Sequence, residues 1–498
     1  MRTFEKINFL MEITNTSNTV LGKYLTFDAS YISRIRNGKR SLPKDRTFID
    51  SLSLFFSEHI LNDYQKKVAG EFIAFGKEWP DQPHIAKNLI YSWLSEELQE
   101  NTNHIGNILS DISSVHSTEI PPLAIPPSST VASTDTTQYF YGDEGKRTAV
   151  ALFLSELGQM EHPPRLLLYS NEEFNWMYED PKFAQQWAML LFSYIKKGGK
   201  IKIAHTISRA SGEMLMALQK WIPVYMTGAV EPYYYPKILD RIFRKTMFIA
   251  EGHSAIVAGS VGEHTDHGMN ILLKDPTAIK VLENEFWDFL DLCKPLMQIF
   301  NVARKEAFFD VLRDFYKNCE NTITVRTTPS FYTMPSKVAQ NMNQRLDHNW
   351  IIKRQENGEK EFRRMMSEGK TLTEIVNLPK EELIKDHLPF PMCDLFDKPG
   401  LYYTTDEFKD HLDNIITLLK ENKNYHVILS SAVPQNEIVY VKEDTSAIVV
   451  KSDFPSIAFS ITEPRMVAAF WDYLTETQGM ARTKQDSIRQ LEKLKDRL

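Results

Sequence analysis

The chain has 498 residues, 42% hydrophobic and 25% charged, the balance of an ordinary globular protein and long enough for about three domains at roughly 150 residues each. No apolar run approaches the roughly 18 residues of a membrane span, and the opening MRTFEKINFLMEI, with acidic residues and no small-residue cleavage site, does not read as a secretion signal. The net charge of -7 is unevenly spread: residues 1–48 hold nine basic side chains against four acidic ones, so a phosphate-attracting end precedes an acidic body.

In chain order, TVLGKYL predicts a first helix with Val20, Leu21, Tyr24 and Leu25 near one face and Asn18 or Thr19 as its cap. A tight break at Thr26-Phe27 follows. Asp28 then caps a second helix in which Ile32 and Ile35 point inward. Asn37-Gly38 ends it, because glycine accepts the left-handed conformation of a helix terminus, and Pro43 starts the next helix. Two short helices around a small turn, the second capped and exposed, are the parts of a helix-turn-helix. The alternative is a surface helix followed by a solvated basic turn.

The stretch LGKYLTFDASYISRIRNGKR resembles the Cro/C1-type (XRE family) helix-turn-helix, over about the first 60 residues. That resemblance implies a bacterial regulator whose second helix enters the major groove of a double-stranded operator, with two copies on a two-fold site. Carried over by position, Ala29, Ser30, Ser33 and Arg34 face the bases, Arg34 suiting guanine and Ala29 a thymine methyl. Asn18, Tyr31, Lys39 and Arg40 contact phosphate. Gly22 stands where the family usually has alanine, at a helix cost of up to about 1 kcal/mol.

The helix-turn-helix domain is placed at 1–62 and a helical segment at 63–116, where Leu52, Phe55, Phe56 and Ile60 form one apolar stripe and Tyr64, Val68 and Phe72 another. Residues 117–138, STEIPPLAIPPSSTVASTDTTQ, read as a linker. Beyond it, MFIAEGHSAIVAGS (247–260) and VYVKEDTSAIVVKS (439–452) align without gaps as strand, turn and strand. Each precedes an acidic residue with proline and a matched helix, FWDFL (286–290) and FWDYL (470–474). Each also follows a helix feeding a strand, 183–207 and 408–430. A duplicated α/β body is therefore expected, with halves at 139–302 and 386–476, a charged helical insertion at 303–385 and a terminal helix at 477–498. That last helix carries Ile488, Leu491, Leu494 and Leu498, and either docks on the body or pairs with a partner.

RIFRKTMFIAEGHSAIVAGSVG resembles the second half of a phospholipase D-like unit, with Lys245 and Gly259-Ser260 at matching positions. The family's histidine is replaced by Phe243, and its aspartate by Ala250 or Glu251. The fold class expected is thus an α helix-turn-helix domain followed by an α/β body of two phospholipase D-like halves. Without the paired histidines, that hydrolysis is not expected.

Elsewhere the signals are weaker. His205 and Arg209 follow a strand and suit either a ligand or a core. Tyr233 and Tyr235 in EPYYYPK suit a pocket for a small molecule or a packed sheet edge. EHTDH (263–267) has metal-ligand residue types without a metal spacing and reads as a polar loop, so no metal is expected. No phosphate loop, dinucleotide fingerprint or hydrolase signature is present, so no cofactor is expected. Cys293, Cys319 and Cys393 are too few and scattered for a disulfide framework, which suits a cytoplasmic setting. The expected function is a cytoplasmic, homodimeric DNA-binding regulator, a repressor, with a non-catalytic body that dimerises or senses a ligand. An antitoxin-like or assembly protein, and an enzyme targeted to DNA, are the alternatives.

Overall fold

The computed structural model describes residues 3–37, 46–74, 77–80, 82–115, 137–172, 175–206, 211–237, 242–262, 264–345, 350–378, 380–385, 388–389, 402–430, 436–453, 456–477 and 483–498. They form two compact units. One runs to Gly106 and takes in residues 211–215; the other holds the remainder.

The first unit is helical: α1 (Thr3–Ile13), α2 (Asn18–Leu25), α3 (Ala29–Arg36), α4 (Arg46–His59), α5 (Asp63–Phe72) and α6 (Pro83–Ser114), whose last turns belong to the second unit. The cap of α2 is Ser17, whose Oγ accepts from the Val20 N–H at 3.3 Å, because the helix starts at Asn18. Thr26 is left-handed (φ 62°), and the Phe27 N–H donates to the Gly22 carbonyl at 2.8 Å. A Cβ on Gly22 would lie 2.6 Å from the Phe27 oxygen, so even alanine would push the turn aside. This explains the departure at Gly22 in backbone terms.

Leu21 and Leu25 are buried, while Val20 and Tyr24 are exposed, so the inner face of α2 is narrower than expected. The stripe Leu52, Phe55, Phe56 and Ile60 is buried, but Tyr64 and Phe72 lie in solvent. A single core joins Leu10, Leu21, Ile32 and Phe56 to Ile73, Ile90 and Trp93. Residues on both sides of position 62 thus share one hydrophobic interior. Lys6 is buried within it and donates to the Trp93 carbonyl and to Glu96, both at 2.6 Å.

The second unit holds two sheets. The first half comprises β1 (Thr137–Tyr141), α7 (Gly142–Gln159), β2 (Leu166–Ser170), α8 (Asn175–Tyr178), α9 (Pro181–Lys196), β3 (Ile201–Thr206), α10 (Ser211–Tyr225), β4 (Val230–Tyr235), β5 (Phe243–Ala250), β6 (Ser254–Val261), β7 (His264–Leu273) and α11 (Pro276–Asp291). Short strands β8 (Lys294–Pro295) and β9 (Met297–Phe300) lead to the second half. It comprises α12 (Lys305–Lys317), β10 (Thr322–Arg326), α13 (Ser336–Asn343), α14 (Trp350–Ser367), β11 (Leu372–Val376), α15 (Glu381–Lys385), β12 (Leu388–Pro389), β13 (Tyr402–Tyr403), α16 (Thr405–Glu421), β14 (Tyr425–Leu429), β15 (Glu437–Lys442), β16 (Ser446–Lys451), β17 (Ile457–Ile461) and α17 (Pro464–Thr477), with α18 (Lys484–Arg497) closing the chain.

The strand orders are β1-β7-β6-β5-β2-β3-β4-β8 and β14-β11-β10-β15-β16-β17-β9. In each sheet a parallel trio meets an antiparallel trio at one junction, β2 against β5 and β10 against β15; in the first sheet the short β8 also pairs antiparallel with β4 at the edge. Outward from that junction, β2, β3 and β4 match β10, β11 and β14, and β5 to β7 match β15 to β17. The helical crossovers match as well, since parallel neighbours need one between them.

The duplication is present, but its second copy begins near Lys305 and not at 386. The expected insertion at 303–385 holds β10 and β11, two interior strands of the second sheet. They read TITVR and LTEIV, every residue buried on both faces; neither is an apolar run, only the five residues of TITVR alternate, and the charged outer faces of α12 and α14 dominate the composition. The pairing of 183–207 with 408–430 was one unit out of phase: α9–β3 matches α14–β11, and α10–β4 matches α16–β14. The expected linker falls mostly outside the described residues, although Thr137 and Gln138 already belong to β1. His264 to His267 open β7 and are not a loop. The terminal helix docks on its own body: Ile488 and Leu491 enter the core formed by α16 and β14, and Ser487 Oγ donates to the Val427 carbonyl at 2.6 Å.

Candidate functional site

In the first unit, α3 presents two contrasting faces. Ile32 and Ile35 are buried beneath it, while Ser30 and Arg34, one turn apart, are exposed and have no hydrogen-bonding partner among the described residues. Ala29, Tyr31 and Ser33 flank them half-buried. Tyr31 stacks on Phe27 with ring centres 4.5 Å apart. Ser33 receives the Asn37 amide on its carbonyl at 2.8 Å.

A residue the sequence reading passed over holds this helix in place. Arg36 donates from Nε to Asn8 Oδ1 at 2.6 Å and from Nη1 to Asn18 Oδ1 at 2.9 Å, and the Asn8 amide returns a bond to the Arg36 carbonyl at 2.8 Å. Three helices are thereby tied at the end of α3. Asn18, expected at phosphate, spends its oxygen on this clamp. Lys39 and Arg40 lie outside the described residues.

The body residues singled out for a ligand do not converge. Side chains alternate across a strand. His205 and Tyr234 share one face of the first sheet, whereas Ala204, Tyr233 and Tyr235 share the other. His205 Nε2 meets the Tyr225 hydroxyl at 2.7 Å, and burial beside Trp221 pushes its pKa down to about 4. It is a neutral core histidine at pH 7. Tyr233 accepts from Lys202 at 3.2 Å and donates to Glu231 at 3.1 Å, and Tyr235 packs on Phe289. Arg209 lies outside the described residues.

Each half instead carries a buried polar cluster near its parallel-to-antiparallel junction, where α/β sheets commonly place ligands. In the first half Lys146 pairs with Glu172, which also accepts from Thr246, itself bonded to Ser170 at 2.7 Å. Burial works against the Glu172 carboxylate, but the Lys146 ammonium and these bonds hold its pKa below the usual value. In the second half the Tyr425 hydroxyl donates to Glu374 at 2.6 Å, and His411 lies between Thr333 and Tyr403 at 3.1 and 3.2 Å. Burial, with Arg326 nearby, pushes His411 down to about 3. Lys442 bonds the Asn318 carbonyl and meets Glu361 at 3.1 Å. Glu172 and Glu361 are thus paired with lysines, whereas Glu374 Oε1 and Arg326 Nε are buried without a hydrogen bond among the described residues.

One cleft in the body is different. It encloses about 820 Å³ on the α11 side of the first sheet, around Tyr169, Asn171, Phe243, Lys245, Gly259 and Phe289. Lys245 and Gly259 were visible in the sequence only as remnants of the phospholipase D-like pattern, and Phe243 is 76% exposed where that pattern has histidine. Among the described residues no cluster of three metal-ligating side chains occurs. No helix there is long and apolar enough to cross a membrane.

No protein-family profile matches the sequence, and no curated protein matches it. Among solved structures it is similar to TrmBL2, an archaeal chromatin protein, at 15% identity over 43% of this chain and 72% of that one, with a TM-score of 0.24. Polyphosphate kinase from Porphyromonas gingivalis aligns at 9% identity over 73% and 56% of the two chains, TM-score 0.23. Yeast tyrosyl-DNA phosphodiesterase aligns at 9% identity over 67% and 91%, TM-score 0.19.

Proposed function

We propose that the chain is a sequence-specific DNA-binding regulator of the Cro/C1 (XRE) kind, acting as a repressor in the bacterial cytoplasm. Its first unit reads double-stranded DNA through α3. Ser30 and Arg34 meet bases, Ala29 and Ser33 border them, and Tyr31 with Asn18, Lys39 and Arg40 contacts phosphate. The observation that carries this reading is the exposed Ser30–Arg34 face on a helix whose underside is apolar and whose end Arg36 clamps. An exposed arginine without a partner among the described residues, on a short helix anchored at its end, is suited to a bidentate contact with guanine.

The phospholipase D-like body is, in this reading, non-catalytic. The support is chemical: Phe243 replaces the histidine of that family, and desolvation lowers the pKa of the half-buried His205 and the buried His411 so that both are neutral at pH 7. The body holds two copies on a two-fold operator and responds to a small molecule. A ligand that favours one arrangement of the body changes operator affinity by its differential binding to the two arrangements.

Equilibrium binding of the full chain to a duplex selected from a random pool tests the reading. Arg34→Ala should weaken binding by about 1–3 kcal/mol and relax base preference at one position of each half-site. Unchanged affinity and preference in that variant would remove α3 as the reading helix.

A further inference from the structure

Matched positions in the two halves have opposite surroundings. Lys245, Gly259 and Met269 lie side by side across β5, β6 and β7. Their counterparts across β15, β16 and β17 are Glu437, Lys451 and Ile457. The second trio is closed off, at 1%, 0% and 1% exposure. In the first half Lys245 keeps 38% of its side chain in solvent and Met269 is 47% exposed.

The substitution at the middle position accounts for much of this. Lys451 fills its site with a long side chain and turns its ammonium onto Asp453. Gly259 has no side chain, and a Cβ there would touch only the Arg244 carbonyl, at 3.4 Å. The cleft of about 820 Å³ opens over this glycine. Met247, Val257 and Ile271 form its floor, and Tyr169, Phe289 and Phe243 its aromatic walls. At one end Lys245 pairs with Glu285, whose side chain is 48% exposed, and the Lys245 N–H donates to Asn171 Oδ1 at 2.6 Å.

We propose that this cleft binds an amphipathic organic anion: an apolar, aromatic body with one carboxylate or sulfonate. The volume falls within the range of small-molecule sites, and the lining has their usual character, apolar with a few polar groups at one end. The floor and walls take the body. Lys245 takes the anion, which displaces Glu285 from an exposed ion pair worth little in water. The inference goes beyond the DNA-reading proposal and stands apart from it, because binding is measured with no DNA present.

The test is fluorescence titration of the full-length protein with 8-anilinonaphthalene-1-sulfonate, beside its uncharged relative N-phenyl-1-naphthylamine. One saturable site for the sulfonate is expected. Gly259→Leu, which fills the cleft, should weaken both probes by roughly tenfold or more, about 1.4 kcal/mol. Lys245→Glu should weaken the sulfonate to a similar degree and leave the uncharged probe unchanged, while Lys337→Glu, on a distant helix, changes neither. Should Gly259→Leu fail to fold, the solvent-facing Lys245→Glu decides. Absence of a saturable site, binding untouched by a folded Gly259→Leu, or a sulfonate indifferent to Lys245→Glu would each overturn the proposal.

Discussion

The two halves of the body have the same strand order and the same crossovers, yet they treat the face under their last helix differently. The second half seals it, with Glu437 and Lys451 inside. The first leaves it open over Gly259. The comparison teaches that a duplicated fold is held by what both copies must satisfy, namely backbone ladders and helical crossovers. Side chains beneath a helix are free to diverge. One copy has become a packed support, and the other has kept a cleft.

Buried ion pairs offer the strongest way to break this picture, because each half has its own on a different element. Lys146 of α7 holds Glu172, and Lys442 of β15 holds Glu361. Removing Lys146 strands the buried Glu172 carboxylate, so Lys146→Ala should cost about 3–5 kcal/mol in urea unfolding, whereas Glu361 keeps its pairing with Arg364 and Lys442→Ala should cost less. Equal losses would mean that Arg364 does not compensate for Lys442, and a neutral Lys146→Ala would mean that the first half tolerates a vacancy there.

A second experiment isolates the sealed face. Burial, against the opposing pull of Lys451, raises Glu437 from 4.5 to about 8. Between those values the folded chain keeps a proton that the unfolded chain has lost, so this residue's contribution falls as pH rises and is gone above about 8. Glu437→Gln should remove that slope, gaining on the order of 5 kcal/mol above pH 8 and little below pH 4.5 in paired denaturation curves. The matched Lys245→Gln should leave the slope unchanged. A wild-type slope that survives Glu437→Gln would show that the carboxyl is not sealed.

The smallest contrast uses two glycines. Gly22→Ala drives a Cβ to within 2.6 Å of a backbone oxygen and should cost the first unit about 1–3 kcal/mol despite the better helix propensity of alanine. Gly259→Ala makes only an ordinary contact with the Arg244 carbonyl and should change thermal stability by less than about 0.5 kcal/mol. Equal losses would mean that the cleft over Gly259 is closed in solution.

Several of these features were legible in the sequence. The Ser-Ala-Ile-Val repeat located both hairpins, and FWDFL and FWDYL located α11 and α17, because hairpins and amphipathic helices carry local periodicity. The break at Thr26, the inward Ile32 and Ile35 and the two-helix geometry were legible for the same reason. β10 and β11 were not. Buried on both faces and containing Arg326 and Glu374, neither has an apolar run, LTEIV has no alternation, and the alternation of TITVR is only five residues long among charged helices.

The phase of the repeat was lost with them, since an amphipathic helix before a strand occurs more than once in every α/β unit. Grouping His205 with Tyr233 and Tyr235 failed because strand neighbours one residue out of register face opposite sides of the sheet. The Arg36 clamp joins residues from three helices, and the cleft joins β2, β5, β6, β7 and α11. Neither has a sequence spacing to read.

The central claim is that α3 reads DNA, and it is tested most directly by capturing sheared genomic DNA on the purified full-length protein, beside Arg34→Ala, at two salt concentrations. The account predicts a recurrent two-fold motif in the wild-type pool that persists at the higher salt and loses its preference at one position per half-site in the variant. A pool without a motif, washed away by salt and identical for both proteins, would contradict it.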